Sequence, residues 1–188
     1  MTLKEAKDKT YMLLDEHSSG GEIEHDEDIE AKMTAFFDIA QKNLSRIRRI
    51  RKTFAVRRVS GRTAYAMPAD FSDLCRVWRD GRPATNAYLF RAGKLLVPER
   101  DRSADIVVEY FAVPGTIGAD TPDDYEFEID EAACECMPYF VAAQQLLPDL
   151  VMDYGAMLAM YDRAAAALGG NGTEPGRVGQ RLFGGGRV

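Results

Sequence analysis

Arg46-Ile47-Arg48-Arg49-Ile50-Arg51-Lys52 runs directly into Thr53-Phe54-Ala55-Val56-Arg57-Arg58-Val59. The hydrophobic period of the chain changes at this junction. Upstream, Ile29, Met33, Phe36, Ala40, Leu44 (or Asn43) and Ile47 recur at spacings of four and three. That spacing predicts an amphipathic helix over 27–50, roughly six turns long. Asp26 or Asp28 suits its N-cap, and the closing cations complement the helix dipole. Downstream of Lys52 the pattern is strand-like. Thr53–Val59 and Arg62–Met67 flank Ser60-Gly61, which reads as a hairpin. Asp73–Arg79 runs into Asp80-Gly81, a stronger turn signal. Tyr88–Arg91 and Lys94–Val97 flank Ala92-Gly93. Asp105–Val113 is rich in β-branched and aromatic residues and closes on Pro114-Gly115.

The helical period flanks this β-rich middle on both sides. Thr2 with Glu5 forms a capping-box pattern ahead of a helix over 3–17, with Leu3, Ala6, Thr10, Leu13 and Leu14 on one stripe. Ser18-Ser19-Gly20-Gly21 ends it. Asp120-Thr121-Pro122-Asp123-Asp124 is a turn before a helix over 128–146, which the interior Pro138 should kink. Leu147-Pro148-Asp149 resets the chain for a last helix over 149–168. Its stripe is Leu150, Tyr154, Met157, Leu158, Tyr161 and Leu168. The expected fold is α+β: one domain over 1–168, a helical bundle of two N-terminal and two C-terminal helices. A small antiparallel β-subdomain is inserted at 53–115. Residues 169–188 hold 8 glycines and read as a flexible tail.

Composition sets the class. The 188 residues are 46% hydrophobic and 29% charged, ordinary for a soluble globular chain. No apolar run reaches the roughly 18 residues of a membrane span, and no signal peptide is expected from the first residues. Cys75, Cys134 and Cys136 are too few for a disulfide scaffold and fit a reducing compartment. The only histidines are His17 and His25, which lowers the expectation of an enzyme.

The net charge of −6 is unevenly spread: −6 over 1–45, +8 over 46–116, −10 over 117–168 and +2 over 169–188. Such asymmetry points to surfaces that meet other surfaces.

Each candidate for chemistry has a plainer competitor. Cys134-Glu135-Cys136 looks metal-like, but thiols two apart on a helix diverge, so buried structural cysteines are favoured. The acid clusters Glu22–Glu30 and Asp120–Glu131 match no calcium loop and read as solvated helix starts rather than a carboxylate site. His17 and His25 read as exposed loop residues. No catalytic residue, metal or cofactor is assigned. Arg46, Arg48, Arg49, Arg51, Lys52, Arg57 and Arg58 form the densest basic patch. It suits phosphate or subunit contact, against a plainer reading as charge paired with the acidic flanks. The alternative function it carries is a nucleic-acid-binding module.

Several strings together resemble a known family. Tyr65-Ala66-Met67-Pro68-Ala69-Asp70-Phe71, Val77-Trp78-Arg79-Asp80-Gly81-Arg82-Pro83 and Ile106–Pro114 resemble its strands and turns. Asp120-Thr121-Pro122-Asp123-Asp124-Tyr125-Glu126-Phe127-Glu128-Ile129-Asp130, leading into Met137-Pro138-Tyr139-Phe140-Val141-Ala142-Ala143-Gln144, is the most specific part. The pattern is similar to tailed-phage head–tail connector proteins, the portal adaptors of the neck, over roughly residues 1–168. The resemblance implies a structural virion protein with no enzymatic activity, made in the bacterial host cytoplasm. Its partners would be identical subunits in a ring of twelve, the portal protein, and the tail or a second neck protein. Genomic DNA would pass through the lumen without sequence-specific binding. Tails in such families reach into the portal. Here that role falls to Arg177, Val178, Arg181, Leu182, Phe183 and Arg187, cations and apolar residues in a Gly-rich segment.

Overall fold

A computed structural model of the chain describes residues 1–15, 27–99, 101, 105–147 and 153–170. Helix α1 (Leu3–Asp15) opens the chain. Thr2 and Glu5 cap it reciprocally: Thr2 N donates to Glu5 Oε2 at 2.8 Å, and Glu5 N donates to Thr2 Oγ1 at 3.2 Å. Leu3 N and Lys4 N donate to the carbonyls of Tyr125 and Asp123, so the first turn is satisfied by the 120s segment. Helix α2 (Glu27–Ile47) follows. Its buried stripe is Met33, Phe37, Ala40, Gln41 and Leu44. Phe37, not Phe36, is the core aromatic, and Ile47 is exposed. A helix turns 100° per residue, so a stripe read one position off still keeps its three-and-four spacing.

Helix α2 stops at Ile47 rather than residue 50. Arg48 N makes the last helical bond, to Leu44 O, and Ile50 already pairs with Ala112. Ile50 gains a ladder partner and packs against both apolar cores, which favours strand for a β-branched residue.

The β-region is β1 (Ile50–Val56), β2 (Ala64–Ala66), β3 (Phe71–Arg79), β4 (Arg82–Pro83), β5 (Leu89–Arg91), β6 (Lys94–Leu96) and β7 (Ile106–Ala112). It forms two antiparallel sheets, ordered β1-β7-β3-β4 and β2-β6-β5. Val56, Val77, Ile106 and Val108 of the first share one core with Tyr65 and Leu95 of the second. The hairpin expected around Ser60-Gly61 is absent: β1 pairs along its length with β7, and β2 pairs with β6. The turn itself forms, with Gly61 at φ 77°. It folds over Tyr65, whose hydroxyl accepts from Val59 N and donates to Arg62 O. Asp80-Gly81 and Ala92-Gly93 do close hairpins, β3–β4 and β5–β6. All four residues have positive φ, as a primed turn requires.

After β7 an 18-residue coil, 113–130, leads to α3 (Glu131–Cys134), α4 (Met137–Leu146) and α5 (Asp153–Gly170). The single helix expected over 128–146 is therefore two. Asp130 caps the one-turn α3 by accepting from Ala133 N at 2.9 Å. Pro138 sits in the first turn of α4, where its missing N–H breaks no bond, so it starts a helix instead of kinking one.

The expected architecture needs correction accordingly. The helices are not two N-terminal plus two C-terminal around a bundle, and the β-region is two antiparallel sheets; the mixed α+β character stands. Helices α1, α2, α3, α4 and α5 enclose a second core of Leu3, Met33, Phe37, Leu44, Phe127 and Met137. Burying a side chain such as Phe37 contributes roughly 1.5–3 kcal/mol.

Candidate functional site

Of the basic patch, Arg46–Lys52 lie where α2 runs into β1, and Arg57 and Arg58 follow the far end of that strand. Three of the patch's seven cations are bonded to carboxylates from elsewhere in the chain. Arg48 Nε donates to Asp130 Oδ2 at 2.6 Å. Arg49 Nη2 donates to Asp73 Oδ2 at 3.1 Å, and its guanidinium lies 3.5 Å over the Phe111 ring. Lys52 Nζ reaches Glu128 Oε2 at 2.7 Å and Asp70 Oδ2 at 2.9 Å. Arg58 donates to the backbone oxygen of Asp101 at 2.9 Å. Arg46, Arg51 and Arg57 are exposed and meet no carboxylate among the described residues.

Lys52 is the centre of a network. Strand alternation puts it on the inward side of β1 with Ile50, Phe54 and Val56, so its charge needs partners there. The Tyr110 hydroxyl donates to Asp70 Oδ1 at 3.0 Å. Glu128 Oε1 accepts from Gly115 N at 2.6 Å. The bonds to Glu128 and Asp70 push the Lys52 ammonium above the ordinary lysine range. The Lys52 bond holds Asp70 below the usual carboxylate range, with Tyr110 helping and burial opposing. Burial raises the Tyr110 phenol, and its bond to Asp70 adds to that. At Asp130 burial works upward, but the Arg48 bond and the capping N–H bring the carboxyl below its ordinary range.

Gln41 was not singled out by the sequence. Fully buried on α2, its Oε1 accepts from Glu128 N at 2.9 Å, and its Nε2 donates to Gly115 O at 3.4 Å. Asp38 beside it accepts from Ile117 N at 2.9 Å. Polar side chains on one face of α2 thus hold the coil 113–130. A polar residue inside an apolar stripe, Met33-Phe37-Gln41-Leu44, was the available signal.

Other candidates separate. Cys134 and Cys136 are buried, and their thiols face the carbonyls of Ile129 and Ala132. Burial pushes the Cys134 thiol up to about 11, so it is protonated at neutral pH and a poor nucleophile. Among the described residues no group of three His, Cys, Asp or Glu could hold a metal ion. No described helix is long and apolar enough to cross a membrane. His17, His25, half of the first acid cluster (Glu22, Glu24 and Asp26) and the tail residues Arg177, Val178, Arg181, Leu182, Phe183 and Arg187 lie outside the described residues. In the second acid cluster, Asp123 pairs with Lys7 at 2.9 Å, and Asp130 and Glu128 serve the basic patch. Asp120, Asp124, Glu126 and Glu131 are exposed and meet no cation among the described residues. An open depression of about 490 Å³ beside the patch is lined by Arg51, Lys52, Thr53, Glu109 and Tyr110. It offers two cations and one carboxylate, a surface for charged groups rather than an enclosed substrate pocket.

A comparison with protein-family models and a search of curated proteins both returned no match.

Proposed function

We propose that the chain is a structural connector of a tailed-phage neck, a ring protein that joins the portal to the tail or to the next neck component. The observation that carries this is the separation of charge left unpaired among the described residues. Arg46 in the last turn of α2, Arg51 on β1 and Arg57 just past it are exposed and meet no carboxylate among the described residues, as Asp120, Asp124 and Glu126 on the coil and Glu131 at the start of α3 meet no cation there. A head-to-tail ring needs two unlike patches on each subunit, and opposite charges supply them. The resemblance of residues 120–144 to portal adaptors names the setting. On this reading the Gly-rich segment 169–188 carries the portal contact through Arg181, Leu182 and Phe183, gaining from many copies acting at once. The nucleic-acid reading of Arg46–Arg58 has less support, because Arg48, Arg49 and Lys52 are already bonded to carboxylates.

Mixing the purified protein with the portal ring of the same genome, and measuring the complex mass, tests the proposal. One copy per portal subunit is the expected result. No complex between two folded proteins refutes it. Deleting 169–188 should abolish attachment while leaving the melt unchanged.

A further inference from the structure

We propose that the open edge of β1 binds an extended acidic segment of another protein by strand addition. It draws on Arg51 and Arg57, which the connector reading also uses, but its test involves no portal, so the two readings succeed or fail separately. Strand β1 ends the order β1-β7-β3-β4, so one of its edges faces no strand among the described residues. Among the described residues, 50–56 make no backbone bond except within the β1–β7 ladder. Alternate residues therefore direct N–H and C=O groups outward, a template for a further strand. The opposite edge of the sheet is blunted, because β4 is two residues long and contains Pro83. The smaller sheet ends in three-residue strands. Strand β1 has seven residues, roughly 23 Å of edge at 3.3 Å per residue.

Charge selects the occupant. From Ile39 to Ala69 the chain has no Asp or Glu and nine Lys or Arg. Arg51, Thr53, Ala55 and Arg57 alternate along the exposed side, with small residues between two arginines that meet no described carboxylate. A second copy of β1 would bring the same sign and be repelled, which is how edge cations prevent self-pairing. A strand of about seven residues with an acid near each end would pair with Arg51 and Arg57 while its backbone completes the ladder. Nucleic acid is the poorer fit: few cations are free, and a duplex makes no use of the backbone edge.

The test pans the full-length chain against a random library of nine-residue peptides. Enriched sequences should carry Asp or Glu near both ends with β-branched residues between. Adding one should slow amide hydrogen exchange at 50–56 at least tenfold. The double variant R51E/R57E should bind it at least tenfold more weakly with an unchanged melting temperature. The proposal fails if no acidic sequence is enriched, or if the bound peptide leaves exchange at 50–56 unchanged. It also fails if R51E/R57E, still folded, binds as well as the parent. Displacement of the peptide by a 20-base-pair DNA duplex that protects the same amides would transfer the site to nucleic acid and overturn it.

Discussion

The ammonium of Lys52 lies 2.7 Å from Glu128 Oε2, and this contact joins the edge strand of the larger sheet to the coil that leads into the C-terminal helices. The two residues are far apart in sequence and come from segments of opposite charge. Glu128 is itself fixed twice: its carboxylate accepts from Gly115 N, and its backbone N–H donates to Gln41. One glutamate thus connects β1, the coil and α2. The basic patch functions first as an internal fastening, and only its remaining arginines face outward.

Acid should loosen that fastening. Asp70 and Asp130 are both held below the ordinary aspartate value of 3.8. A carboxyl lowered in the folded state stabilises fully above its ordinary value, and the contribution is lost as pH falls through the folded value. Lys52 is raised, so its share is complete below 10.5 and fades only as pH climbs beyond that. The urea midpoint should therefore be nearly flat between roughly pH 5 and 9 and fall below about pH 4. Asp70→Asn should lower the neutral midpoint and flatten the acid fall. An acid slope in that variant as steep as the parent's would locate the sensitivity elsewhere.

The lysine's role was hidden from the sequence for a physical reason. Period and turn residues report local geometry, so the Asp80-Gly81 and Ala92-Gly93 turns and the Thr2–Glu5 cap were all legible. Which strand pairs with which is a long-range matter. Thr53–Val59 and Arg62–Met67 look like a hairpin because they are adjacent. Yet β7 offers β1 seven cross-strand partners, whereas β2 is only three residues long. The same limit applied to the basic patch. Its density was visible, but its partners Asp70, Asp73, Glu128 and Asp130 arrive only with the tertiary fold. Pro138 shows a subtler ambiguity, since a proline marks either a kink or a helix start, and here it falls in the first turn of α4.

Gln41→Leu should destabilise the protein although it adds apolar volume to an apolar stripe. The substitution leaves Glu128 N and Gly115 O without their partner at the α2 surface. A backbone group left unpaired away from water costs about 1–3 kcal/mol, and less where water reaches it, as at the exposed Gly115. A melting temperature lower by several degrees is expected, with Gln41→Glu no milder, because it removes the donor and sets a carboxyl group in a fully buried position. A Leu variant as stable as the parent would show that the coil finds other partners.

Thiol labelling should separate the three cysteines. Cys75 is half-buried on β3, whereas Cys134 and Cys136 are buried in the helical core. Burial raises both core thiols, so their thiolate fraction at neutral pH is small as well as inaccessible. A maleimide added to the native protein at pH 7 should modify Cys75 first, and all three only after denaturation. Mass spectrometry of the partly labelled chain reads this directly. Early modification of Cys134 would mean that the α3–α4 junction opens readily.

Gly115 gives the sharpest test of the fastening. A Cβ built there would stand 3.1 Å from Glu128 Oε1, closer than a comfortable contact with a carboxylate already bonded to Gly115 N. Gly115→Ala should push the carboxylate away and weaken its contact with Lys52. Lys52→Met removes the same contact from the other side. The cost of that change should be about 1–2 kcal/mol, kept modest because the lysine is more than a third exposed and screened by water. If both substitutions act through Glu128, their effects overlap, and the double variant should be more stable than the summed single losses predict by at least 0.5 kcal/mol, roughly the lower bound for coupled neighbours. Urea unfolding of the four proteins at pH 7 supplies the cycle. Strict additivity would show that the alanine acts through the backbone of the coil and not through the carboxylate.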